Sequence, residues 1–169
     1  MENILNRVSV REFLPQNVSE ADLLQLLRSA MSAPSAGNMQ PWEFIVVHNK
    51  ESRLKFAQRL PYAAMAAAAP VVIVVCGNMR RLLSGEGASF WVQDTAAASE
   101  NLLLSAHALG LGAVWVGIYP LRDRILTVRN VLKLPEYIVP LNIIPLGYPA
   151  VQNPPKQKYD MAKIHRECW

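Results

Sequence analysis

Apolar positions recur along this chain in two rhythms. Leu23, Leu26, Leu27 and Ala30 repeat at intervals of three and four, which puts them on one helical face. Ser19, with Asp22 three residues on, supplies a capping-box-like start for that helix. The turn formers Ala33-Pro34-Ser35-Ala36-Gly37-Asn38 end it. Phe44 to His48 then predicts a strand, and Glu51 to Arg59 a short helix. The longest apolar stretch, Ala63 to Cys76, is interrupted by Pro70 and falls short of the ~20 residues a membrane-spanning helix needs. It predicts an Ala-rich helical turn followed by a strand. Val71 to Val75 shows no polar alternation, so that strand should be covered on both faces.

The strongest helical pattern runs from about residue 90 to 108. Its apolar face carries Leu102, Leu103, Leu104, Ala106 and Leu109, with Gly110 at the C-cap. The small residues Ala96, Ala97, Ala98 and Ser99 permit close approach, so this helix should be buried centrally or in a dimer interface. Ala113 to Ile118 reads as a strand, and Leu121 to Leu132 as a helix stopped by Pro135. Ile138 to Leu146 reads as the last strand, closed by Gly147-Tyr148-Pro149. The stretch to Asn6 predicts a short helix, and Arg7 to Phe13 a polar loop. The mix is α+β, with helices covering a sheet of about four strands in one domain spanning residues 1–169. Beyond Pro149 periodicity is lost. A tail of residues 150–169 bearing Tyr159 and Trp169 should either pack on its own domain or clasp a partner.

The net charge of +4 is moderate and no run of like charge occurs, which argues against nucleic acid as a partner. Neither a signal-peptide start nor a membrane span is recognisable, and the two cysteines, Cys76 and Cys168, make a poor disulfide framework. A cytoplasmic protein with no membrane partner is expected. Gly110-Leu111-Gly112 lacks the third glycine of a dinucleotide fingerprint and follows a helix instead of a strand. P-loop and nucleophile-elbow motifs are absent. His48, His107 and His165 lie far apart without companions at ligand spacing, so no metal site is expected. A chain with donor-rich loops and little catalytic machinery of its own suits chemistry carried by a cofactor.

Four segments in order resemble the FMN-dependent nitroreductase family over nearly the whole chain. Arg7-Val8-Ser9-Val10-Arg11-Glu12-Phe13 is similar to its Arg-x-Ser-x-Arg/Lys-x-Phe loop. Pro34-Ser35-Ala36-Gly37-Asn38-Met39-Gln40-Pro41-Trp42 is similar to its Pro-Ser-x-x-Asn-x-Gln-Pro-Trp loop. Asn101 to Gly112 resembles the central family helix. Gly147-Tyr148-Pro149 with Lys156-Gln157-Lys158 resembles its Gly-Tyr-Pro and Lys-x-Arg tail.

The resemblance implies a homodimer with two FMN sites at the interface, in which NAD(P)H passes a hydride through FMN to a small acceptor such as a nitroaromatic or quinone, in ping-pong order. It implies that Arg7, Ser9, Lys156 and Lys158 hold the phosphate, a group of about two negative charges. Arg7 and Ser9 are two apart, as are Lys156 and Lys158, so each pair points one way in an extended segment. Val8 stands where a second basic residue is common, and Lys158 where Arg is usual. Arg11 would reach the pyrimidine side of the ring, where a cation raises the reduction potential. Pro34, Ser35, Ala36, Asn38 and Gln40 would contact the partner subunit's flavin, and the tail would embrace that partner. Gly117 or Ile118 would present a backbone N–H to flavin N5, the choice staying open; no side chain is assigned a catalytic role. Two other readings remain: a flavoenzyme of related fold but other chemistry, such as dehalogenation or flavin breakdown, and a non-catalytic dimeric module.

Overall fold

The computed structural model describes residues 1–169. Helix α1 (Glu2–Asn6) leads into an extended loop, followed by α2 (Glu20–Met31). The cap of α2 forms as expected, with the Asp22 N–H donating to Ser19 Oγ at 3.0 Å. Strand β1 (Trp42–Val47) begins two residues before the expected start, and α3 (Lys50–Arg59) is capped by Asn49, whose Oδ1 accepts from the Ser52 N–H at 2.9 Å. Then come β2 (Val71–Asn78), α4 (Trp91–Ala108), β3 (Gly112–Ala113), β4 (Val116–Gly117), α5 (Arg122–Leu132) and β5 (Ile138–Gly147).

Every strand pair is antiparallel, in the order β1-β2-β5-β3, with β4 also on β5. The side chains of β2 divide between two cores. Val71, Ile73 and Val75 pack with Leu26 of α2 and Ala98, Leu102 and Ala106 of α4 on one face. Val72, Val74 and Cys76 pack with Phe56 of α3 and Val128 of α5 on the other. This is why β2 reads as an unbroken apolar run: neither face meets water.

One expectation is corrected. Ala113 to Ile118 is not a continuous strand but two short pieces, so the sheet has five strands. The Val114 N–H donates to the Pro145 carbonyl at 3.2 Å. On that edge Pro145 has no N–H to return, so the ladder is interrupted opposite Val114 and resumes at Val116. The interruption leaves Trp115 half-buried at the sheet edge.

The loop after α1 is tied to the sheet rather than loose. Ser9 and Ala113 form a parallel bridge, and the Val10 N–H donates to the Ala113 carbonyl at 3.0 Å. Phe13 bridges Pro149, and the Ala150 N–H donates to the Glu12 carbonyl at 2.9 Å, so the tail departs beside this loop. Residues 150–169 are exposed throughout. The tail therefore does not pack on its own chain. No helix is long and apolar enough to cross a membrane.

Candidate cofactor cleft

A cleft of about 400 Å³ opens beside β4, within the range of small-ligand sites. Trp115, Val114, Val116 and Met65 give it apolar walls, while Arg11 and Arg124 bring the only charged side chains. Tyr62, 84% exposed, stands at its mouth.

Backbone polarity decides what β4 offers the cleft. N–H groups of Val114 and Ile118 point at β5, donating to Pro145 and Leu141 carbonyls at 3.2 and 3.0 Å. In a strand the direction alternates, so the intervening Gly117 turns its N–H and carbonyl away from β5, toward the open edge. Ile118, fully buried, has spent its N–H and has none to offer. The Gly117 carbonyl is held by Arg124 Nη1 at 2.9 Å. A Cβ on Gly117 would meet nothing nearer than the Trp115 indole nitrogen at 4.0 Å, so there is open space above this residue. Opposite Gly117 on β5, fully buried Asn142 donates to Ser99 Oγ at 2.8 Å, tying the site's floor to α4.

The structure brings some of the sequence-derived residues together. Arg11 and Gly117 line one cleft. Arg7, Val8 and Ser9 are half-buried on the loop that leads to Arg11, and Arg7 lies 3.6 Å from Glu100 of α4. Lys156 and Lys158 are exposed on the tail and make no ion pair with this loop or any other residue.

The loop of residues 34–40 stands apart and does not line the cleft of its own chain. Its conformation is nevertheless tightly set. The Ala36 N–H donates to Asp94 Oδ1 at 2.9 Å, the Gln40 N–H to Ser35 Oγ at 3.0 Å, and Gln40 Nε2 to Asn38 Oδ1 at 3.1 Å. Asn38 and Gln40 both take left-handed backbone, at φ 55° and 49°. Such strain in residues other than glycine concentrates at functional loops. Pro34, Asn38 and Gln40 are exposed.

Sequence reasoning missed Arg124, Tyr62 and Asp94. Arg124 carried no distinguishing signal, because Arg122 shares the first turn of α5 with it. Asp94 could not be singled out in the sequence, because Gln93, Glu100 and Asn101 also lie on α4 and only the fold buries this carboxylate to 7% exposure.

An antiparallel sheet between helix pairs, with an aromatic and cationic cleft at its broken edge, defines an α+β protein with a candidate cofactor site. The profile of the Nitroreductase family matches residues 4–61 and 54–148. A protein of Methanothermobacter thermautotrophicus with the provisional name NADH dehydrogenase/NAD(P)H nitroreductase is 43% identical over 171 residues, covering 100% of this chain and 87% of its own length. A solved structure from Parabacteroides distasonis with the same provisional name is 44% identical at TM-score 0.94, covering 99% of this chain and 97% of its own. An FMN-dependent nitroreductase from Clostridium difficile is 26% identical at TM-score 0.91, with 100% of both chains covered. The chain belongs to the nitroreductase family.

Proposed function

We propose that this protein is an FMN-dependent oxidoreductase that takes a hydride from NAD(P)H and passes it to a small acceptor such as a nitroaromatic or quinone. The observation that carries the reading is the Gly117 N–H, freed by strand alternation to face a cleft that Arg11 also lines. The residues present fit the cofactor: an apolar and aromatic wall suits a flat ring, and the open space over Gly117 leaves room for it. FMN, when bound, supplies a ring nitrogen able to accept and release hydride.

Everything else falls to the chain. Gly117 presents its N–H toward that ring nitrogen. Arg11 sets a fixed positive charge on the pyrimidine side. Arg7 and Ser9 hold the phosphate, with Lys156 and Lys158 brought in from the exposed tail. Pro34, Ser35, Ala36, Asn38 and Gln40 sit off their own cleft on a rigid, exposed loop, which supports their use against the partner subunit's cofactor in a homodimer. Donor and acceptor use the same open space in turn, giving ping-pong order, and the protein's main task is to hold stacked rings roughly 3–3.5 Å apart.

Absorbance spectroscopy and light scattering on freshly purified protein test the reading, followed by NADH and NADPH oxidation with nitrofurazone or menadione. Flavin bands, a dimer mass and turnover are expected. Protein that stays colourless after added FMN would overturn it.

A further inference from the structure

Arg124 is a cation at the wrong end of a helix, in the first turn of α5, without a carboxylate partner. It is half-buried, its Nη1 holds the Gly117 carbonyl at 2.9 Å, and it lines the cleft with Arg11. The nine residues around that cleft include no acid. A guanidinium cannot shed its proton to relieve like-charge repulsion. Two of them facing one space therefore give it a positive field that favours an entering anion. The helix dipole adds to that field, because the N-terminus of α5 also presents partial positive charge.

We infer that Arg124 is a positioning residue for the FMN ring that also sets its reduction potential, an inference that rests on the function proposed above. The positioning follows from the strand. The N–H and carbonyl of Gly117 project from the same edge, and with its carbonyl fixed by the guanidinium the short, interrupted β4 keeps its N–H aimed into the cleft. The potential follows from charge. A hydride leaving NAD(P)H carries two electrons and one proton, leaves NAD(P)⁺ behind and delivers one negative charge to the site. A second fixed cation beside Arg11 favours that delivery, so removing it makes the bound flavin harder to reduce. Arg124 and Arg11 lie far apart in the sequence, and only the fold brings them together.

The test uses FMN itself as the probe. FMN-free wild type, R124Q and R124K are titrated with FMN by fluorescence quenching, and the potential of each loaded protein is read against a reference dye. R124Q should bind FMN about tenfold or more weakly, the loss typical of a hydrogen bond to a charged group, and its flavin should have a lower potential. R124K keeps the charge but loses the planar fork, so the potential should recover more fully than the affinity. Losing the bond to the Gly117 carbonyl should lower the thermal midpoint of FMN-free R124Q only slightly, so the shift in potential, which a purely structural role would not produce, is the deciding readout.

Wild-type affinity and potential in R124Q would overturn this inference and leave the proposed function standing. Wild type that takes up no FMN would remove both. R124M, which keeps the aliphatic stem, replaces R124Q if the latter does not fold. Loss of folding in both would make Arg124 structural and overturn the inference.

Discussion

Arg7 Nε lies 3.6 Å from Oε1 of Glu100, so the loop after α1 leans on the central helix through one long ion pair. The carboxylate is half-exposed, and pairs of this kind contribute between about 0 and 1 kcal/mol. The pair thus fixes direction more than stability, and Arg7 stays able to bind a stronger anion. Arg7→Ala should weaken FMN retention by about tenfold or more while costing under about 1 kcal/mol of folding stability. Fluorescence titration beside urea unfolding of the FMN-free protein checks this; equal loss in both would contradict the phosphate role.

Gly112 permits the approach of that same loop. A Cβ here would stand 2.6 Å from Val10 Cβ, in the segment where Val10 bonds to Ala113. Gly112→Ala should force the loop off β3 and destabilise by roughly 1–3 kcal/mol. Because Ser9 and Arg11 ride on that loop, FMN affinity should fall with stability. A thermal midpoint unchanged from wild type would refute the close packing.

The fold was legible wherever periodicity had one cause. Leu23, Leu26 and Ala30 announced α2, and the β-branched run of β2 announced a strand covered on both faces. Ala113 to Ile118 misled because its interruption is written elsewhere, in Pro145, which lacks a donor on the facing edge. For the candidate site, the alternating pattern of Arg7, Ser9 and Arg11 suggested a binding loop, and of the three Arg11 lines the cleft. That Ile118 has no free N–H could be seen only when the sheet showed which amides were already bonded. Arg124 belonged to no local motif; its meaning depends on a carbonyl seven residues earlier that only the turn into α5 brings near.

The positive φ of Gln40 separates folding from binding. Gln40→Gly relieves left-handed strain of about 1–2 kcal/mol but adds roughly 0.5–1 kcal/mol of unfolded-chain freedom. Stability should stay within about 1 kcal/mol of wild type, whereas FMN affinity should drop if this amide reaches the partner's cofactor. The interface reading makes a sharper demand. In a heterodimer of a Q40G chain and an R7A chain, one site combines intact Arg7 with intact Gln40 and the other loses both. Half the sites should titrate with wild-type affinity. Two equally weakened sites would place Gln40 against its own chain's cofactor.

Burial pushes the Cys76 thiol up to about 12 from an ordinary 9.0, with a further push from the charge of Glu43. An unfolded chain releases this proton near 9.0, whereas the folded chain keeps it. The stability held by the neutral thiol is therefore full below pH 9 and is lost as pH climbs through the window from 9 to 12. At about pH 10.5 wild type should have lost some 2 kcal/mol more than Cys76→Ala, relative to each protein at about pH 8. Urea midpoints at the two pH values measure the difference; parallel slopes would refute it. A thiol reagent should meanwhile label exposed Cys168 rapidly and Cys76 only on unfolding.

The tail offers the most direct test of assembly. Tyr159, Met161, Ile164 and Trp169 are 70%, 73%, 50% and 99% exposed, an apolar load that an isolated chain gains nothing by displaying. Its internal bonds are short-range, as in Lys163–Asp160 and the stack of His165 on Trp169, so it has local shape without a seat on its own domain. Burying four such side chains on a second copy would contribute several kcal/mol to association at about 1.5–3 kcal/mol each before ordering costs. Removing residues 151–169 cuts none of the sheet or helix contacts, so the remaining chain should keep its circular dichroism and unfold cooperatively. On the proposed function, the dimer should then dissociate at higher concentration in light scattering, and FMN should be lost with it, since the lysines proposed for its phosphate, Lys156 and Lys158, go too. A truncated protein that stays dimeric and retains FMN at wild-type affinity would refute both the clasp and the lysines' part in the phosphate site.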